Sequence, residues 1–515
     1  MFRRLFAVFV IGFCAVLQAC GGGGGGGTPP PVPVITDING AATASGTAGS
    51  SFIVDGSGFG TLSGSGTTAG YSVDFRDVTS NGIVAKATYA GTGWTAAYIK
   101  AVVPGSGLTV GTTYKVTVTT PGGTSNAVDF TLVASVALSP STIAWGSTSP
   151  LPVALQGLSS VFAPINVTSG GTTTSTSYIY AFGGNTAASG TTGAKSANVA
   201  SVYTNAVNDG TGGSAAGSLR NAAWTTETNA LPAARGFASG ALANGFNSRV
   251  TGSGTVYVLG GLDATGAASA TVYYAALGSD GTVGAWSTTT PLPTARYAFG
   301  AVIFRGRLYV AGGNDATDTP TAAVYSAPIN ADGTLGTWST SMPSLTAPVA
   351  YHQLVSTGGT LYVLGGTGSA AVDPTSTIQS SATVNSIYYN SINPDGSLAG
   401  SSWTTNPGGL IKAVEKNTVV AVGSYVLASG GLYNSASTGS TEESYATQST
   451  TDASLSSFQG ATGSKTIAGT SGGYNFFNHA AALYVDPSGN PHVLVLGGQT
   501  VGAGAAVQAG VWYMK

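Results

Sequence analysis

The sequence predicts an all-β chain in two parts, a small sandwich followed by a larger ring of repeated sheets, and three observations predict it. Only 7% of the 515 residues are charged while 78 are Gly, a composition that disfavours helix interiors and, with abundant Val, Thr and Tyr, suits pleated strands. Six Gly-Gly pairs, at Gly183-Gly184, Gly260-Gly261, Gly312-Gly313, Gly365-Gly366, Gly430-Gly431 and Gly497-Gly498, each close a short apolar strand. They recur every 52 to 77 residues, a period that signals a repeat architecture. The length is also too great for one core, so a second unit is expected ahead of the repeats.

Met1 to Arg4 followed by the apolar run Leu5 to Leu17 has the charged start and short hydrophobic centre of an export signal. The run is too short to span a bilayer comfortably. It ends in Leu17-Gln18-Ala19-Cys20, which resembles the lipobox of bacterial lipoproteins, with Gln18 bulkier than the residue usual there. The resemblance implies a signal peptide over residues 1–19, acylation of Cys20 and a membrane partner through that lipid anchor. The plainer alternative is a signal cut near Ala19 without acylation. Because no Asp follows the Cys, the same resemblance implies the bacterial cell envelope and its outer membrane. Residues 20–33 then form a tether, seven glycines acting as a flexible coil and the prolines up to Pro33 stiffening it. Cys14 and Cys20 are the only cysteines, so the mature chain has no disulfide and must fold by burial and strand pairing alone. Losing Arg3 and Arg4 with the leader takes the formal charge from −2 to −4, which gives nucleic acid nothing to bind.

Residues 34–134 contain short alternating strands separated by turn residues, the pattern of a β-sandwich. Ser51 to Gly60 ends in Gly-Ser-Gly-Phe-Gly, and Gly122-Gly-Thr-Ser-Asn126 leads into Val128 to Leu132. That order resembles the IPT/TIG family, which implies an immunoglobulin-like fold and, beside the tether, a spacer role. Gly56, Gly58 and Gly60 are turn glycines here, since the Gly/Ser/Thr-rich stretch that follows cannot form the helix a dinucleotide loop requires.

Over residues 138–515 the repeats share one grammar: a Leu-Pro segment, a strand ending in Gly-Gly, a third strand with Val-Tyr, and an aromatic at Trp224, Trp286, Trp338, Trp403 or Phe458. This resembles kelch repeats and implies a six-bladed β-propeller with four strands to each blade. The last repeat stops after its third strand, and Trp145 has no blade of its own, so the segment around Trp145 is expected to complete the final blade and remove an open edge. Gly-Gly pairs then serve positive φ and close backbone approach, and Asp280-Gly281, Asp332-Gly333 and Asp395-Gly396 serve tight turns.

Arg235 and Arg296, three residues past Leu-Pro, match the kelch arginine, which implies bonds to loop carbonyls between blades. His352 and His479 fall where an inner strand begins and so are placed to face the axial channel. These four are the candidate ligand-binding residues; no catalytic residue and no metal ligand is assigned. The kelch oxidases that resemble galactose oxidase use a Cys-Tyr cross-link, and no cysteine remains to make it, so no cofactor is expected. A sugar mutarotase-like enzyme needs a paired acid and base, and Glu415, Glu442 and Glu443 stand in no motif that supplies them. The expected function is a lipid-anchored binding or adhesion scaffold whose propeller loops, notably 185–200, 367–383 and 432–443, meet a protein or neutral glycan. The alternative is a non-copper carbohydrate-active enzyme of the envelope, which Tyr or Trp faces converging with two carboxylates in the channel mouth would favour.

Overall fold

The computed structural model describes residues 29–514 apart from 42, 63–67, 136–142, 170–171, 189–193, 211–213, 246, 251, 370–372, 377–379, 434–437, 440–442, 450–452, 461–475, 487–488 and 501–505. The export signal and Cys20 therefore lie outside the described residues. The chain is all-β, with no α-helix among the described residues and one 3-10 turn at Ala194–Ser196.

Strand alternation builds the N-terminal unit. In Ser51–Ser57 the buried residues are Phe52 and Val54, and in Thr113–Thr120 they include Tyr114, Val116 and Val118, so each strand turns one face inward. One sheet runs Val34–Ile38, Ser51–Ser57, Tyr98–Val102, Thr88–Trp94, and the facing sheet contains Ala44–Gly46, Val128–Leu132, Thr113–Thr120, Ser72–Arg76 and Ile83–Lys86. Phe52, Phe75 and Phe130 meet edge to face or tilted at 5.2 to 5.8 Å between them. The Trp94 indole, buried in the same core, donates to the Phe59 carbonyl at 2.9 Å.

Six further sheets of three or four strands follow among the described residues, with two small two-stranded pairs beside them. Their first strands are Ser159–Ser169, Ser239–Ala243, Gly300–Phe304, Gln353–Thr357, Thr418–Val422 and Ala480–Val485, each paired antiparallel to a second strand that ends at a Gly-Gly pair. A hydrophobic cluster lies between every successive pair of sheets, and another, with Leu158, Ile179, Tyr484 and Leu494, lies between the sixth and the first. The sheets thus form a closed cycle. Trp145–Thr148 pairs antiparallel with Val511–Met514, Trp145 opposite Met514, as the outermost strand of the sixth sheet.

Three local devices tie each sheet to the next. All twelve residues of the Gly-Gly pairs have positive φ. The second glycine's amide donates across to the following sheet, Gly184 to the Arg235 carbonyl at 2.8 Å and Gly261 to that of Arg296 at 2.9 Å. On the far side, second-strand tyrosines reach the next sheet's turn: Tyr180 to Gly281, Tyr257 to Gly333 and Tyr309 to Gly396, at 2.6 to 2.9 Å. The outer aromatics stand just before the fourth strands, and their indoles bond backward, Trp286 to the Asn229 carbonyl and Trp403 to that of Pro343, both at 2.9 Å. One expectation is corrected. The third sheet has three strands, its fourth reduced to the reciprocal bonds of Ser326 and Ser339, the one pair there that stays within bonding distance.

The two units touch where first-to-second strand hairpins emerge. Asp37 and Asp55, opposite one another on adjacent strands, bond Arg249 and Arg305 of the ring, and Thr43 donates its amide to the Gly245 carbonyl at 3.1 Å. Burial there raises the Asp55 carboxyl, with Asp37 adding to the rise and Arg305 opposing it.

Candidate functional site at the axial mouth

The axis of the ring is built from one slot in each repeat. Gly157, Phe237, Ala298, Tyr351, Lys416 and Asn478 stand two residues before their first strands, and all six have φ between 53° and 59°. Each amide donates to the carbonyl of the same slot in the preceding sheet: Phe237 to Gly157, Ala298 to Phe237, Tyr351 to Ala298, Lys416 to Tyr351, Asn478 to Lys416 and Gly157 to Asn478, at 2.7 to 3.0 Å. Left-handed backbone costs a non-glycine residue roughly 1–2 kcal/mol; here a closed circle of hydrogen bonds holds it in place at five such residues.

Below this circle lies an axial cavity of about 250 Å³. Its wall is stitched by side chains that cross between sheets: Ser159 to the Ala238 carbonyl at 2.8 Å, Ser239 to that of Phe299 at 2.6 Å, Gln353 to that of Asn417 at 2.8 Å. Above the circle, the mouth on the Gly-Gly side is filled. Lys416, 4% exposed, points its ammonium at the carbonyls of Ser376 and Asp373, 2.9 and 3.2 Å away, and lies over the rings of Tyr351 and Phe477. Tyr297 packs edge-on to Tyr351 and donates its hydroxyl to Asp318 at 2.8 Å, and Asp318 also pairs with Lys195 at 2.6 Å. Beside them, buried Glu415 accepts from the Thr383 hydroxyl at 2.8 Å, and Asn478 bonds the Pro374 carbonyl and Gln156.

Titration is most disturbed here. Burial pulls Lys416 down to about 8, against the raising influence of Glu415 and Asp373. Burial raises the Tyr351 phenol well above its ordinary range, with Tyr297 and Glu415 adding to it, and raises Tyr297 as well, with Asp318 adding. Such clustering of displaced groups marks functional sites and buried networks alike. Lys195 and Asp318, each about a third exposed, and Asp373, which is exposed, reach the surface.

A prediction follows from Lys416. Its folded value lies below the unfolded value near 10.5, so the folded chain binds fewer protons between about pH 8 and 10 and gains stability as pH rises there. Lys416→Met is expected to flatten that gain, on the order of 1–2 kcal/mol, in denaturant melts at pH 7.5 and 9.5. Equal slopes in both proteins would contradict it.

Of the residues singled out from sequence, Arg235 and Arg296 lie away from the axis, whereas His352 and His479 line the axial cavity from separate sheets. Arg235 and Arg296 are 5% and 1% exposed. Their guanidinium groups stay in their own sheet, over the rings of Tyr273 and Tyr325; Arg296 donates to the Gly312 carbonyl and Thr294, both at 2.8 Å. The expectation that these side chains bridge successive sheets is corrected, since the bridge is the arginine's main-chain carbonyl. His352 and His479 are also buried, in different sheets. The His352 ring wedges over Gly312 of the preceding sheet, and His479 Nε2 shares a bond with the Thr418 hydroxyl at 2.8 Å. Burial lowers them to about 4 and about 3, so they stay neutral well below the ordinary 6.5, and acidification through that window works against the fold. Among the described residues no group of three or more His, Cys, Asp or Glu gathers in a way that could hold a metal. Lys416, Tyr351, Tyr297 and Lys195 carried no motif; aligning the repeats on Gly-Gly, which places the first two in one slot, was the available signal.

No family model matches the chain, and no curated protein matches it. Among solved structures, "Structure of YjhT" is similar at 12% identity, over 71% of this chain and 95% of that chain, with a TM-score of 0.44. A likeness at that level carries no argument.

Proposed function

We propose that the chain is a lipid-anchored envelope protein in which an IPT/TIG-type sandwich spaces a six-bladed kelch-type propeller from the membrane, and that the propeller's Gly-Gly face binds a protein or neutral glycan. The observation that carries this reading is the filled axial mouth: Lys416, Tyr351 and Phe477 occupy the place where a catalytic centre on the axis would admit substrate. The exposed surface around it is made of turns such as Asp263 to Ala267 and Asp315 to Thr319, whose carboxylates are already bonded to Thr hydroxyls and amides. Neutral hydroxyls, backbone groups and the second oxygen of each of these carboxylates remain for a partner, a donor and acceptor set that suits hydroxyl-bearing, uncharged ligands.

One observation favours the enzyme reading instead. Tyr297 and Tyr351 converge with Asp318 and Glu415, aromatic faces beside two carboxylates, with Lys195 and Asp318 at the rim. The two readings separate in one experiment on the soluble form beginning at Thr28. A glycan array and envelope pull-down should retain a partner that Lys195→Ala and Asp318→Asn weaken, while proton-exchange NMR finds no acceleration of sugar anomerisation. Catalysed anomerisation abolished by Asp318→Asn would replace the scaffold reading with the enzyme.

The anchor has its own test. Cys20→Ala is expected to release essentially all of the protein from membranes, and mass spectrometry of the wild-type terminus should show acylated Cys20. Acyl chains bind through buried methylenes worth about 0.8 kcal/mol each, so membrane retention of the variant would count against this route.

A further inference from the structure

On the outer rim the third and fourth sheets differ from the second. The fourth strand of the third sheet is reduced to the Ser326–Ser339 pair, and the Asp-Gly turn facing it in the fourth sheet is longer, eight positions from Asp395 to Trp403 where Asp280 to Trp286 and Asp332 to Trp338 span six. The two differences open a cleft of about 350 Å³ between these sheets, within the range of small-ligand sites. It lies on the side of the Asp-Gly turns, away from the Gly-Gly face.

The cleft also holds an arginine that no sister repeat has. Five residues before the first glycine of each pair stand Tyr178, Thr255, Thr360, Tyr425 and His492, but Arg307 in the third sheet. In every repeat where the contact is seen, this side chain covers the turn glycine of a neighbouring sheet, and Arg307 lies against Gly396. One of its terminal nitrogens donates to Ser326 at 3.0 Å, while its buried Nε has no partner. In the turn that Arg307 covers, Asp395 spends one oxygen on the amide and hydroxyl of Ser397; its other oxygen makes no hydrogen bond among the described residues. Ser339, Ser341 and Ser401 add hydroxyls to the lining, and Met342 and Leu398 add apolar surface.

We propose that this cleft binds a single neutral sugar residue, with Arg307 donating to, and Asp395 accepting from, neighbouring ring hydroxyls. The chemistry selects that class. A guanidinium only donates and a carboxylate only accepts, whereas a serine does both, and a vicinal diol meets all three. An anion would face the Asp395 carboxylate and a cation the Arg307 guanidinium, while an apolar ligand would strip water from the hydroxyls without replacing it. The C–H face of a pyranose matches the partly exposed Met342. This site is independent of the Gly-Gly face, and its test distinguishes the two.

The test is saturation-transfer NMR and calorimetry on the soluble form beginning at Thr28, with methyl glucosides, galactosides and mannosides, and with acetate and inorganic phosphate in parallel. At least one methyl hexoside should bind, Arg307→Ala should weaken it by roughly tenfold or more, the loss of a charged hydrogen bond, and Lys195→Ala on the other face should leave it unchanged. Ser401→Trp, at an exposed position on the cleft wall, should block binding while leaving the melting curve in place, which covers the case in which Arg307→Ala misfolds. Absence of binding by every hexoside, binding that survives Ser401→Trp, or competition by phosphate or acetate would each overturn the proposal.

Discussion

Gly183→Ala will destabilise the ring by roughly 3–5 kcal/mol, the sum of left-handed backbone strain and steric overlap with a neighbouring main chain. Gly183 has φ +59°, and a Cβ there would stand 2.1 Å from the Arg235 carbonyl oxygen, the same oxygen that accepts the Gly184 amide across the joint between the first two sheets. Neither sheet can withdraw without breaking that bond. Gly252→Ala is the control, because its φ is +78° but nothing lies within 4 Å of the added carbon; it should cost only about 1 kcal/mol. Urea melts of the two variants check the difference. A Gly183→Ala cost no larger than that of Gly252→Ala would mean that the joint is soft and that the glycine pairs serve flexibility alone.

Trp145→Ala will cost about 3–5 kcal/mol, as for other buried tryptophans, and the loss will be confined to one part of the molecule. Trp145 is 6% exposed and packs with Leu427, Val493, Val495, Trp512 and Met514 between the fifth and sixth sheets. Its strand is the outermost of the sixth sheet, so weakening it uncovers the hydrogen-bonding edge of Val511–Met514 and loosens a sheet made of chain segments far apart in sequence. Hydrogen exchange should speed up at Val511 to Met514 and at Pro491 to Leu496, with the sandwich core around Phe52 and Phe130 unchanged. Uniform loss of protection through both units would contradict a closure that acts locally.

The sequence by itself determined the all-β class, the positions of the second strands, the glycine joints and the displaced strand at Trp145. These were legible because each rests on a local rule: positive φ selects Gly, strand faces alternate, and a strand without a sheet needs an edge. The three-stranded third sheet was not, since Trp338 still stands where a fourth strand should begin and Pro343 repeats the place of Pro291, whose sheet keeps its fourth strand. Arg235, Arg296, His352 and His479 were legible as special residues, but their partners were not, because a repeated polar side chain looks the same in sequence whichever carbonyl, ring or hydroxyl it meets.

Only the tertiary structure decided the axial mouth. Phe237, Ala298, Tyr351, Lys416 and Asn478 adopt left-handed backbone that of the five only Asn478 takes up readily, and no local pattern announces it. The conformation is held by bonds from six separate repeats closing on one another, and it is that closure which buries a lysine and a carboxylate beside two tyrosines. A circle of contacts spread over more than 300 residues exists only once the ring has closed, so its chemistry is a property of the assembled sheets and of no single repeat.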